Sequence, residues 1–473
     1  MVFREKLPST TILTFNDVIL LPGFTDVDPV EVDVSTQVST SVKINIPIVS
    51  SPMDTVTEHE LAISLARLGG IGIVHRNVSI DEQVEMVKKV KDAPQYPVYL
   101  CYVESTSKCR DALNMMRELS IDYIPIVKDG IVIGFLNKID ALKYPDDNVV
   151  EHARRPVIAN LYEDPQSIKR KMLENDVDTV AIVDSSGKFV GIVTIWNLDS
   201  NKPFTPCVDS EGRLRVGAAI SPFDINRIKK LDKYVDVLVL DVANAAHMKI
   251  ISSIKNICKE ISSDLVVGNV GTYESAVEII TRVEKIDGFR VGIASGSICS
   301  TGVVTGVAAP TLWATAQVAD AARDYGLKVP IIADGGIKSP GDAVKAFAVG
   351  AWCVMLGRVL AQAYESPSPI ITIGDRKYKY YRGMASEGAR VRRFAVDRYS
   401  RKVKDISEGV EGLVPYRGTL EQIIKEFVSG IQASMGYIGA RSIPECWEKA
   451  KLGLVTSLGR REVEPHSIYL RIE

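Results

Sequence analysis

The chain has 473 residues, 46% of them hydrophobic and 25% charged, an ordinary globular balance that excludes a largely disordered protein. Lys and Arg total 57 against 59 Asp and Glu, a formal charge of -2, which argues against a nucleic-acid coat or a polybasic membrane binder. Seven scattered cysteines without a CxxC pair fit a reducing cytoplasm rather than a disulfide framework or a zinc knuckle, and no run of 18 apolar residues predicts a membrane span.

Eight short apolar runs end in Gly, Ser, Asp or Asn, as buried parallel strands do where they enter polar loops. In chain order they are INIPIVSSPMD from Ile44, GIGIVHRN from Gly70, RLRVGAAIS from Arg213 and DVLVLDVAN from Asp236. DLVVGNVGT from Asp264, GFRVGIASGS from Gly288, PIIADGG from Pro330 and WCVMLGR from Trp352 follow. Helical segments separate most of them. Thr57 with Glu60 and Ser79 with Glu82 have capping-box spacing, and Ser339-Pro340 marks another helix start. Eight β-then-α units predict an α/β fold, a (β/α)8 TIM barrel.

More than 100 residues separate the second and third runs, so something is inserted there. The insert, 93–207, holds an internal repeat. ALNMMRELSIDYIPIVKDGIVIGFLNKIDAL and IKRKMLENDVDTVAIVDSSGKFVGIVTIWNL align with one extra residue in the second copy. Each reads helix, strand, Gly-containing turn, strand, helix start. Two copies can bury a core that one cannot, so the insert is expected to be a separate small domain, leaving 1–92 and 208–473 to the barrel. After the eighth run, RVRRFAVDRYSRKVK at 390–404 carries seven basic residues and reads as a loop over the barrel mouth. Thr419 and Gln422 then open another helix.

Sites in such barrels lie at the C-terminal ends of the strands. In GIASGSICST, Cys299 sits in a small polar loop. It is either a nucleophile, if neighbours favour its thiolate, or a free structural cysteine. Asp334, Gly335 and Gly336 after the seventh run, and Gly357 and Arg358 after the eighth, either expose N–H groups to a phosphate or permit tight turns. Asp334 suits a ribose diol. Asp241 and Asn244 are a polar rim pair or helix caps. Arg398 and Tyr399 matter only if their loop folds over the mouth. The five histidines have no zinc spacing, and neither a Rossmann nor a P-loop fingerprint occurs.

SSPMDTVTE at 50–58, GGIGIVHRN at 69–77, GSIC at 296–299, ADGGI at 333–337, YRGM at 381–384 and EGVEGLVPYRG at 408–418 occur in this order. Together they resemble the family of IMP dehydrogenases and GMP reductases along nearly the whole chain. The insert resembles a tandem pair of CBS modules (an α+β Bateman domain), at about 93–150 and 154–207.

The resemblance implies that Cys299 attacks C2 of a purine nucleotide, with hydride transfer to or from a nicotinamide. It implies Arg398 as the base of a flap Arg-Tyr pair with Tyr399, Thr301 as an aid to water activation and Glu408 in a proton relay. Ser51, Met53, Ser297, Asp334, Gly335, Gly336, Gly357, Arg358, Tyr381, Gly383 and Met384 are then nucleotide positions. Asp241, Asn244 and Asn269 lie toward the cofactor, and carbonyls of Gly292, Gly296 and Cys299 hold potassium. The partners implied are IMP and XMP, or GMP, with an adenine or guanine nucleotide at the CBS pair, in a homotetramer or octamer.

The chain departs from the family pattern at Gly302, at GVAAPT (306–311) and at Arg358, where a serine is usual. DVAN at 241–244 resembles the reductase branch, whereas YRGM, the DRY at 397–399, the flap length and the PHSI tail resemble the dehydrogenase. The main expectation is an IMP dehydrogenase using NAD. A GMP reductase using NADPH is the alternative, and a weakly catalytic nucleotide sensor is the third. In the insert, Asn137…Asp140 and Thr194…Asn197 occupy the places of a T-x-x-D ribose motif, and loss of the second carboxylate weakens that reading.

Overall fold

In a computed structural model, residues 11–198, 204–391 and 407–465 are described. The chain forms two compact units, Met1–Lys91 with Arg215–Glu473, and Asp92–Leu214.

The first unit is a parallel barrel. Its strands are β1 (Ile48–Ser50), β2 (Gly72–Val74), β3 (Val216–Ile220), β4 (Val237–Leu240), β5 (Asp264–Val270), β6 (Gly288–Val291), β7 (Ile331–Asp334) and β8 (Cys353–Leu356). They pair in the order 1-8-7-6-5-4-3-2, with Val216 opposite Gly72 and Val354 opposite Ile48. A bridge between Val49 and Ile71 brings β1 to β2, with Ser50 N donating to Ile71 O at 3.0 Å. All eight expected runs contribute a strand. Except for Asp334, every strand residue is buried, which is why the runs read as continuous apolar stretches rather than alternating ones.

Eight helices surround the sheet: α1 (His59–Arg67), α2 (Ile80–Lys91), α3 (Ile225–Leu231), α4 (Met248–Ile257), α5 (Tyr273–Ile280), α6 (Thr311–Asp324), α7 (Pro340–Ala348) and α8 (Leu420–Ile438). In α4, Ile250, Ile251, Ile254 and Ile257 form one buried stripe at helical spacing, each contributing about 2 kcal/mol. Three caps form as expected. Ser79 and Glu82 exchange bonds of 2.8 and 3.2 Å, Ser339 accepts from Asp342 N, and Thr419 and Gln422 make a capping box. Thr57 does not cap α1. Its hydroxyl donates to Ser51 O at 2.7 Å and lies 2.7 Å from Ser50 Oγ, and the helix starts after Glu58 without a side-chain cap. Spacing alone cannot tell a helix cap from a loop brace.

After β8 a feature absent from the sequence reading appears, a three-stranded antiparallel sheet of Ile370–Ile373, Arg376–Arg382 and Glu411–Pro415. The strand Val18–Leu21 pairs antiparallel with Lys451–Leu454. Among the described residues no helix is long and apolar enough to cross a membrane. All seven cysteines are free thiols.

The second unit has two halves of like topology. In one, Val103–Glu104 pairs parallel with Tyr123–Lys128, which pairs antiparallel with Ile131–Asn137. In the other, Ile158–Asn160, Thr179–Val183 and Phe189–Thr194 repeat that order. A helix joins the parallel strands in each half, Cys109–Leu119 and Pro165–Glu174. Each half has an apolar core, the first joined by Ile192 of the second, and Val127, Val132, Phe135, Ala181 and Val183 form a third cluster shared by both.

Candidate active site

The C-terminal strand ends surround a cavity of about 480 Å³, within the range of small-molecule sites. Cys299 stands in its wall, on the loop after β6, and is exposed. The loop is pinned from two sides. Ile293 and Ala309 exchange backbone bonds of 3.0 and 2.9 Å on one side. On the other, Ser300 N donates to Glu408 O at 3.1 Å and Val410 N to Ile298 O at 3.0 Å. This second pairing brings a carboxylate within two hydrogen bonds of the sulfur. Cys299 Sγ donates to Thr301 Oγ1 at 3.3 Å, and Thr301 Oγ1 donates to Glu408 Oε2 at 3.0 Å. Glu408 is 1% exposed, so a proton leaving the sulfur along this path reaches a group shielded from water.

The glycine positions are defined by sterics. Gly335 and Gly336 have φ of 94° and 76°, the left-handed region that side chains avoid. A Cβ at Gly357 would stand 2.9 Å from Tyr381 Oη and 3.3 Å from Met53 Sδ, so a side chain there would make this wall shift. Burial pushes the Tyr381 phenol up to about 12, which keeps its proton on at neutral pH. Arg358, exposed, opens the short helix Arg358–Ala361 and lines the cavity.

Beneath the cavity runs a buried charge network that the sequence reading missed. Arg290 in β6 donates from Nε to Asp334 Oδ2 at 2.8 Å and from Nη1 to Asp241 Oδ1 at 3.2 Å. Arg76, after β2, reaches Asp241 Oδ2 at 3.3 Å. Asn269 Nδ2 donates to Asp334 Oδ2 at 3.0 Å and to Gly292 O at 2.8 Å. Burial alone would push the Arg290 guanidinium down, but Asp334 and Asp241 outweigh it and hold it above its ordinary value. The signal was present in GFRVGIA, because a lone arginine within a buried run requires paired acceptors.

Ser51, Met53, Ser297, Asp334, Gly335, Gly336, Gly357, Arg358, Tyr381, Gly383 and Met384 all line the cavity, as do Gly292, Gly296, Cys299, Thr301 and Glu408. Asp241 and Asn269 line it too, but both Asp241 carboxylate oxygens and Asn269 Nδ2 are engaged in the network. Neither Asp241 nor Asn244 caps a helix, since α4 is capped by His247. Asn244 does not line the cavity. It is exposed, and its Oδ1 accepts from Ala246 N at 3.0 Å. Arg398 and Tyr399 lie outside the described residues.

A third group also escaped the sequence reading. Arg382 makes a bidentate pair with Asp54, at 3.0 and 2.6 Å, and Asn77 Nδ2 donates to Asp54 Oδ2 at 2.8 Å. Burial pushes the Asp54 carboxyl up, but Arg382 and Asn77 outweigh it and hold it below its ordinary value.

A curated IMP dehydrogenase from Korarchaeum cryptofilum is 46% identical over 461 residues, covering 96% of each chain. One from Thermoplasma acidophilum is 41% identical over 99% of this chain and 97% of its own. A crystal structure of GMP reductase from Trypanosoma brucei in complex with guanosine 5'-monophosphate superposes with a TM-score of 0.78 at 32% identity, covering 99% of this chain and 100% of that one. Residues 12–466 match the IMP dehydrogenase / GMP reductase domain, and the chain belongs to that family.

Proposed function

We propose that this chain is an IMP dehydrogenase, which oxidises IMP to XMP through a covalent bond between Cys299 and C2 of the purine. The observation that carries this reading is the relay from Cys299 Sγ through Thr301 Oγ1 to the buried Glu408 carboxylate, at 3.3 and 3.0 Å. A thiol that adds to carbon must release its proton, and this path supplies an acceptor two hydrogen bonds away. Relatives named IMP dehydrogenase, from 36% to 46% identical over nearly the whole chain, favour the same reaction.

NAD⁺, when bound, is the acceptor of the C2 hydride. The residues present fit such a ligand. Cys299 is exposed, and Asn244, next to the cavity-lining Ala243, keeps an amide NH₂ without a partner among the described residues. Cys299 adds to C2 and passes its proton to the relay. Loss of hydride then leaves the purine on the sulfur, water attacks C2, the C–S bond breaks and XMP departs. In this scheme Arg398, beside Tyr399, activates the water. Gly335, Gly336, Gly357 and Arg358 hold the phosphate, and Asp334 receives the ribose. Tyr381, Met384 and Met53 wall the cavity beside Gly383 and Ser51.

GMP reductase is the second reading, favoured by DVAN at 241–244 and by the GMP-bound structural relative. Absorbance at 340 nm separates the two. A rise with IMP and NAD⁺ establishes the dehydrogenase, and a fall with GMP and NADPH alone establishes the reductase.

The unit Asp92–Leu214 is proposed as a CBS pair, on the support of its repeated strand order. A nucleotide there meets an altered ribose site. Asp140 is paired with Arg154 at 2.6 and 3.0 Å, and Asn197 Oδ1 accepts from Thr194 N and Oγ1. The carbonyls of Gly292, Gly296 and Cys299 are neutral oxygen donors on one loop, chemistry that suits K⁺ better than a small divalent ion. Activation by K⁺ over Li⁺ tests this. A cytoplasmic homotetramer, or octamer, completes the proposal.

A further inference from the structure

We propose that Asp54 and Arg382 are positioning residues for the proton relay, acting on Glu408 through the segment 383–386. The inference rests on the relay reading above and assigns a role to residues outside the reacting groups.

Arg382 ends the strand Arg376–Arg382 and leads directly into Gly383 and Met384 of the cavity wall. Its fork grips Asp54 on the loop after β1, and its N–H donates to Thr55 Oγ1 at 3.3 Å. Asp54 N in turn donates to Met384 Sδ at 3.4 Å. The β1 loop therefore holds both the residue before and the residue after Gly383. Asp54 has a fully buried side chain, and Arg382 is largely buried, so this pair is screened far less than a surface pair. Asn77, 0% exposed, joins the same carboxylate and also donates to Ala389 O at 3.1 Å. The cluster thus ties together the β1 loop, the β2 loop and the segment after the hairpin strand.

What that segment holds is the relay. Gly383 N donates to Val410 O at 3.0 Å, and Glu408 N donates to Ala385 O at 3.2 Å. Ser407 Oγ donates to Ala385 O at 3.1 Å. Displacing 383–386 therefore displaces Glu408 relative to Thr301. The Cys299 loop has an independent anchor, the Ile293–Ala309 pairing, which does not pass through this cluster. Disturbing the ion pair should therefore slow the step that uses the relay, release of the Cys299 proton on attack, and leave hydrolysis, where Arg398 activates the water, unchanged.

The test uses the full chain with saturating IMP and NAD⁺, followed at 340 nm by stopped flow. Asp54→Asn removes the charge. Arg382→Lys keeps charge and length but loses the fork, and guards against an unfolded Asp54→Asn. Each variant is expected to slow the first turnover, read as NADH formed per site, about 10- to 100-fold, the scale of misplacing a catalytic group by about 1 Å. Steady-state turnover should fall to that first-turnover rate, so that the burst disappears. A purine adduct on Cys299 should build up less than in the wild type, read by mass spectrometry after acid quench. The double variant should be no slower than the slower single variant. The proposal is overturned if the first turnover keeps its wild-type rate with a smaller amplitude, as partial unfolding gives, or if neither rate nor amplitude changes. A wild-type enzyme that forms no Cys299 adduct would instead overturn the covalent reading beneath it.

Discussion

Arg290 shows what a single residue contributes when its partners are fixed by the fold. Its guanidinium is 5% exposed and joins Asp334 to Asp241. Arg290→Leu leaves two carboxylates without their shared cation, and losing one member of a buried ionic group costs about 3–5 kcal/mol. Urea denaturation should show that loss, and the KM for IMP should rise because Asp334 no longer has a fixed position. Asp54 makes a pH prediction. Its folded-state carboxyl titrates below its ordinary value, so the ion pair contributes fully above about pH 4 and is lost as pH falls through the folded value. Unfolding measured from pH 5 to 2.5 should therefore steepen in the wild type relative to Asp54→Asn. Cys299, Asp334 and the glycines were legible in the sequence because small polar runs after apolar ones mark loops at strand ends. The partners of Arg290, Asp54 and Asn77 were not, because pairing across the barrel depends on which strands become neighbours.

Elements were more legible than contacts. The eight strands follow from apolar runs alone, since a sheet buried on both faces needs no alternation. The hairpin sheet after β8 was invisible for the opposite reason. Arg376–Arg382 reads RKYKYYR, a strand whose partly exposed faces carry charge and aromatic residues instead of an apolar run. The α1 start misled because the Thr57 hydroxyl serves the β1 loop. Packing of that helix makes a sharp prediction. A Cβ at Gly72 in β2 would fall 2.5 Å from Ala62 Cβ and 2.6 Å from Ala62 Cα in α1. Gly72→Ala should lower stability by about 1–3 kcal/mol, read from a thermal melt, because backbone rather than a flexible side-chain tip must move.

At the scale of the whole molecule, the insert interrupts the barrel at a point where the barrel itself is continuous. Lys91 Nζ lies 2.7 Å from Asp236 Oδ2, and Val216 N donates to the same oxygen at 2.8 Å. Both chain ends thus meet at one carboxylate. Replacing residues 92–214 by a short Gly/Ser linker should yield a folded barrel that keeps purine turnover within about tenfold, since loop closure over a few residues costs little. Loss of all activity from a folded deletion variant would show that the insert completes the site. The buried network has a consequence for history rather than mechanism. Arg76, Asp241, Asn269, Arg290 and Asp334 come from five different strands or their ends, and each is satisfied by another. No member can drift alone without stranding a neighbour. Across related chains these positions should change together or not at all, so that lineages acquiring a new ligand do so at the rim and leave the floor untouched.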